Sequence, residues 1–242
     1  MVGFLEEELT YLHQPFFASG RTFQTMRART IAIGDIHGCS AALAAVLEAI
    51  KPAEKDTLVF LGDYVDRGPD SRGVIEQILA LETKCRVVPL LGNHEIMFLE
   101  TLELGTEAAA WLQYGGTETL ASYGWDIANI PPSHLEFVHN LRKYHETPTH
   151  LFFHANYIPD MTPDEQPDYA LFWEHLFAAV PTPHESGKIA IVGHTAQRSG
   201  EIKDLGHVIC IDTYCHGGGW LTALDVDTWE VWQADREGRM RG

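Results

Sequence analysis

The chain has 242 residues and a formal net charge of −17, with 45% hydrophobic and 21% charged residues. So acidic a surface argues against nucleic acid and anionic membranes as partners, and no apolar run approaches the ~18 residues of a membrane span. Four cysteines without a CxxC pair give no disulfide framework, and acids stand in MVGFLEEELT where a leader peptide needs lysine or arginine, so a reduced, cytoplasmic chain is expected.

Residues 1–28 carry scattered aromatics without periodicity and read as an N-terminal extension lying on the surface of a single domain, residues 29–242. A rhythm then begins. Thr30 to Ile33 reads as a strand, and Leu43, Val46, Leu47 and Ile50 follow at helical spacing. Thr57 to Leu61 predicts a second strand, and Ser71 to Leu81 a helix with Val74, Ile75, Ile78 and Leu79 on one face. Arg86 to Leu91 predicts a third strand, with a helix from about His94. Strand, loop and helix repeated three times predict βαβ units and a mainly parallel sheet, hence an α/β fold. Residues 105–148 look helical but irregular, broken at Pro131-Pro132; short strands return at 149–153, 188–192, 207–211, 220–225 and 228–233, with a helix near 168–178 among them.

Polar residues cluster where such a sheet presents its strand ends, the usual ligand edge of an open α/β sheet. The first loop is GDIHG (Asp35, His37), the second GDYVDRG (Asp63, Asp66, Arg67) and the third GNHE (Asn93, His94, Glu95); LFFHAN and IVGHT add His154 and His194. Asp35, His37, Asp63, Asn93, His154 and His194 are six O or N donors with no thiolate, a set suited to Mn, Fe or Zn. Six exceed what one catalytic metal with an open position needs. They suit two metals ~3.5–4 Å apart sharing a carboxylate, an arrangement that clamps in-line displacement at phosphorus. Two dications would offset the burial of Asp63 as that shared anion. His94 is then the natural general acid, Asp66 the partner that fixes its tautomer, and Arg67 a planar fork for phosphoryl oxygens.

GDIHG, GDYVDRG and GNHE in this order, followed by a strand-end histidine and GHT, resemble the phosphoprotein phosphatases, the metal-dependent serine/threonine branch of the calcineurin-like metallophosphoesterases, in their bacterial and lambda-phage style. The resemblance spans about 29 to 235. It implies two mixed β-sheets packed as a sandwich flanked by helices, and a dimetal centre, commonly manganese as isolated. It also implies that Asp35, His37 and Asp63 hold one metal and Asp63, Asn93, His154 and His194 the other. The chain departs from the pattern at Phe172-Trp173-Glu174-His175, where family members often carry an arginine shortly after a tryptophan; Arg198 is a candidate substitute. Ala155-Asn156 replaces the usual small residues, so Asn156 either bonds near the site or shapes the turn. Tyr214 and His216 either line a substrate groove or belong to a plain glycine-rich hairpin. Cys39, next to the first metal loop, is either an oxidisable thiol or a small helix-start residue. His134, His139, His145, His150, His184 and His207 are expected on surfaces or at helix caps.

Three functions compete. The first is hydrolysis of phosphomonoesters, chiefly phosphoserine and phosphothreonine in proteins. The second is hydrolysis of dinucleoside polyphosphates, as in symmetrical diadenosine tetraphosphatases; those relatives typically lack the aspartate that pairs with the acid histidine and carry GNHD, so Asp66 and Glu95 favour the first. The third is an inactive scaffold, disfavoured by the intact set of ligands and acid.

Overall fold

The computed structural model describes residues 27–104 and 108–242. The N-terminal reading for residues 1–26 lies outside this range. Two five-stranded sheets face each other. The first is built from β1 (Thr30–Ile33), β2 (Thr57–Phe60) and β3 (Arg86–Pro89), which run parallel, extended by β9 (Leu221–Asp225) and β10 (Val231–Ala234), which run antiparallel. The second has a parallel centre of β5 (His150–Phe152), β6 (Ile189–Val192) and β8 (Val208–Cys210), edged by the two-residue antiparallel strands β4 (His145–Glu146) and β7 (Lys203–Asp204). Both sheets are therefore mixed, where periodicity predicts a mainly parallel one.

The apolar strands explain the layering. Ile31, Ile33, Leu58 and Phe60 point to the helices, while Ala32 and Val59 point to the second sheet. Phe152, Ile191 and Ile209 meet them from that sheet, and Leu151, Ala190 and Val208 turn outward. Strands covered on both faces read as continuous apolar runs. The helices α1 (Ser40–Ile50) and α2 (Ser71–Leu81) bury Leu43, Val46, Val74, Ile75 and Ile78 against the first sheet. The Asp70 carboxylate caps α2, accepting the Gly73 N–H at 2.9 Å.

The third helix, α3 (Asn93–Leu104), opens directly on the GNHE loop. Then come α4 (Ala108–Trp111), a kinked segment over Leu112–Gly116 that bends at Gly115, α5 (Thr117–Ser122) and α6 (Pro132–His139). The helix near 168–178 is shorter than periodicity predicts: α7 spans Asp168–Phe172, and the chain after Trp173 leaves the helix to line a cleft. None of the helices described is long and apolar enough to cross a membrane.

Candidate metal and phosphate site

The carboxyl ends of both sheets meet at one place. Asp35 and His37 follow β1, Asp63 follows β2, Asn93 and His94 open α3, His154 follows β5 and His194 follows β6. The turns that deliver them are strained: His37, Asp63, Asp66, Arg67, His194 and Tyr214 all take φ between 45° and 71°. Non-glycine residues in this left-handed region cost energy and persist where surrounding structure holds them, often at functional sites. Glycine is needed beside them, because a Cβ at Gly92 would strike the Asp63 carboxylate and one at Gly193 the Asp35 carboxylate.

The imidazoles are oriented by backbone carbonyls. Nδ1–H of His37 donates to Val65 O at 2.9 Å, Nδ1–H of His154 to Leu61 O at 2.8 Å, and Nε2–H of His194 to Trp173 O at 3.3 Å. Each ring thus turns a lone pair inward. The inner nitrogens of His154 and His194 face Asn93 Oδ1 at 3.0 and 3.1 Å. Those of His37 and His154 lie 3.4 and 3.5 Å from the Asp63 oxygens. Lone pairs converging on oxygens repel unless a cation lies among them. The N and O donor set fits a divalent metal.

Protonation agrees. Burial pushes Asp63 up, but His154, His94, His37 and His194 together pull it well below the usual carboxylate range. Burial lowers His37, His154 and His194, the last to about 3. Metal ligation requires the carboxylate ionised and the imidazoles neutral, and each shift runs in that direction.

Ligand atoms of His37, Asp63 and His94 form one close trio and those of Asp63, His154 and His194 another, so Asp63 is common to both. Asp35 falls outside both trios. Its carboxylate accepts the His194 N–H at 3.0 and 3.2 Å, and its pKa is driven well up by burial, then by Asp212 and Asp63. Asp212, which the sequence did not single out as a ligand, is buried there with a pKa raised to about 7, by burial first.

His94 and Asp66 meet. Nδ1–H of His94 donates to Asp66 Oδ2 at 2.6 Å. Trp111 Nε1–H donates to both Asp66 oxygens at 3.0 Å, and the Thr119 hydroxyl to Oδ1 at 2.7 Å. Burial raises Asp66, while the hydrogen bonds from His94 and Thr119 pull it back. Glu95 accepts the N–H groups of Asp63, Tyr64, Val65 and Gly92 at 2.8–3.2 Å and so fixes the second loop. No sequence signal marked Trp111 or Thr119; they stand 45 and 53 residues from Asp66. Arg67 points its guanidinium at His37 Nε2, 2.8 Å away, and Gly115, at the kink between α4 and α5, accepts its backbone N–H.

Above these residues lies a cleft of about 530 Å³. Tyr214, His216 and Arg198 line it, with the Arg198 guanidinium 5.6 Å from the Tyr214 ring centre. Of the two readings of this loop, the structure brings its side chains to the cleft. Asn156 shapes the turn: it accepts the Tyr157 N–H and donates to Ala179 O at 2.8 Å and Glu174 at 3.2 Å. Cys39 is buried where α1 begins, facing Cys215. The expected surface placement fails for three histidines. His134 is buried against the Tyr123 hydroxyl, His184 against Ser186 and Met161, and His150 within β5.

Comparison with known proteins agrees with this geometry. Residues 28–229 match the family model of the calcineurin-like phosphoesterases, and the chain belongs to that family. It is 32% identical over 205 residues to serine/threonine-protein phosphatase 1 of Salmonella typhimurium, covering 80% of this chain and 90% of that one. A shorter match, 47% over 72 residues, links it to the symmetrical bis(5'-nucleosyl)-tetraphosphatase of Legionella pneumophila, covering 29% of this chain and 25% of that one. Among solved structures, a provisionally named diadenosine tetraphosphatase superposes with a TM-score of 0.66 at 23% identity, over 86% of this chain and 94% of that one. The cold-active protein-tyrosine phosphatase of a psychrophilic Shewanella gives 0.61 at 17%, over 89% and 80%. The protein is thus a hydrolase of the metallophosphoesterase family, whose members use a divalent metal centre.

Proposed function

We propose that this chain hydrolyses phosphomonoesters in the cytoplasm, with phosphoserine and phosphothreonine in proteins as its substrates and two divalent ions, manganese foremost, as its cofactor. The observation that carries this reading is the 2.6 Å pair of His94 and Asp66. A serine or threonine side chain leaves as an alkoxide, a far stronger base than a departing phosphate, and so needs a proton in the transition state. With Nδ1–H engaged by Asp66, Nε2 of His94 is the nitrogen free to give that proton. The carboxylate steadies the imidazolium until it does.

Asp35, His37, Asp63, Asn93, His154 and His194 would hold the metal centre. When bound, it supplies a water nucleophile at neutral pH and offsets charge on the phosphoryl oxygens. Arg67 offers its fork to those oxygens once His37 Nε2 serves as a ligand. The long match to the Salmonella phosphatase supports the same reading.

Hydrolysis of dinucleoside polyphosphates is the second reading. It is favoured by the tetraphosphatase matches and by the exposed rings of Trp173, Tyr114 and Phe177 at the cleft, on which bases could stack. The test compares a phosphoserine/phosphothreonine peptide with diadenosine tetraphosphate on manganese-supplied enzyme, with His94→Asn as the control for contaminating activity. Faster phosphate release from the peptide is expected. Faster dinucleotide cleavage would replace the first reading with the second, and neither activity with metal bound would leave a scaffold.

A further inference from the structure

One cleft residue has no part in the ligand set or the acid pair. His175 sits on the loop after α7, and its ring stacks on His194 with centres 4.2 Å apart and planes 17° apart. Phe177 covers the other face at 4.6 Å and 14°. The loop is tied down: Leu176 N–H donates to Thr195 Oγ1 at 2.9 Å, and Ala179 O accepts from Asn156 at 2.8 Å. The ring is therefore held in one orientation.

Its chemistry is unused. Nδ1 is buried without a hydrogen-bond partner among the described residues, while the ring lines the cleft beside Arg67 and His94. An unpaired buried lone pair is tolerated better than an unpaired buried N–H. The proton thus belongs on Nε2, the nitrogen left to the cleft. A fixed N–H donor facing the same space as Arg67 is available to an acceptor that enters the cleft. Phosphoryl oxygens are the acceptors this cleft is built to receive.

We infer that His175 is a substrate-binding residue, a second grip on the phosphoryl group that acts with Arg67. This rests on the phosphoester reading of the site. The stack on His194 sets the direction of the donor, and the hydrogen bond from Nε2–H does the binding.

Three variants separate the two properties of the ring. His175→Phe keeps the stack and loses the donor, His175→Gln keeps a donor and loses the stack, and His175→Ala loses both. The readouts are calorimetric affinity for inorganic phosphate in manganese-supplied protein, the inhibition constant of phosphate and KM with p-nitrophenyl phosphate, bound manganese and melting temperature. His175→Ala and His175→Phe should weaken phosphate binding and raise KM ~10-fold, as for loss of a charge-assisted hydrogen bond. His175→Gln should restore affinity to within ~3-fold of the parent, and His175→Phe should keep the parent melting temperature. Phosphate affinity in His175→Phe equal to the parent would overturn the inference, because stacking alone would then be the role. If His175→Ala loses manganese, the contrast of Phe and Gln at saturating manganese decides. A parent protein that binds phosphate but hydrolyses no phosphoester would remove the proposed function while leaving the variant contrast decisive for His175; a parent that binds no phosphate would overturn the inference itself.

Discussion

The two sheets contribute differently to the site. Loops after the first sheet deliver Asp63, Asp66, Arg67, Asn93 and His94 in compact motifs, braced by buried groups: Glu95 takes four backbone N–H donors, and Asp66 takes Trp111, Thr119 and His94. The second sheet delivers single residues, His154 and His194, together with loops whose rings face open space. Trp173 is 45% and Phe177 78% exposed, and the Nδ1 atoms of His175 and His216 have no partner among the described residues. Saturated hydrogen bonding marks a frame that must not move during proton transfer. Unpartnered ring nitrogens and exposed rings mark a wall that waits for a ligand. On this contrast, changes to the groups that brace His94 and Asp66 should fall on kcat, and changes to the open loops of the second side on KM and substrate choice.

The largest effect should come from His94→Asn, which removes the proposed acid and should lower kcat at least ~10²-fold with bound metal unchanged. A comparable loss in KM instead would move His94 to the recognition side.

Next comes a test of the frame away from the chemistry. Asp56 joins the starts of β1 and β2, accepting two guanidinium bonds from Arg29, one at 2.6 Å, and the Ala53 N–H at 2.9 Å. Burial pushes its carboxyl up, but Arg29 and the backbone donors hold it below the usual range. Asp56→Ala should destabilise the fold by about 2–4 kcal/mol at pH 7 in urea denaturation. A depressed folded pKa means that the unfolded chain binds the proton more readily. The stabilisation is therefore full above about pH 4 and is lost as the pH falls through the lower folded value. The deficit of the variant should close in that acid window, and a deficit constant with pH would show that packing, not the ion pair, is responsible.

Thr119→Val keeps shape but removes the hydroxyl that donates to Asp66. It should lower kcat ~10-fold with KM held, and an unchanged kcat would show that Trp111 suffices. The smallest effect is expected at the rim: Arg198→Ala should raise KM for a phosphopeptide ~3-fold and leave kcat as it was. A fall in kcat of the same size would break the division between the two sides.

The frame of this protein is legible in its local sequence patterns. Apolar runs of alternating face specify strands covered on both sides, helical spacing at Leu43 and Val74 specifies the flanking helices, and glycine-bracketed loops place Asp, His and Asn at strand ends. These are local properties of backbone periodicity and turn chemistry. They carried the three early motifs, the family and the six expected ligands. The bracing of those residues follows from packing between distant parts of the chain. Trp111 and Thr119 reach Asp66 from helices whose sequence shows no link to it. Asp212 joins Asp35 and Asp63 only because the two sheets, packed face to face, bring their carboxyl ends together. β4 and β7 are two-residue edges too short to carry an alternating pattern. His175 faces the cleft because the chain leaves its helix at Trp173 and is pinned by Asn156 and Thr195 through bonds that span 18 or more residues. Contacts across such separations depend on packing of the whole chain, and no local pattern encodes them.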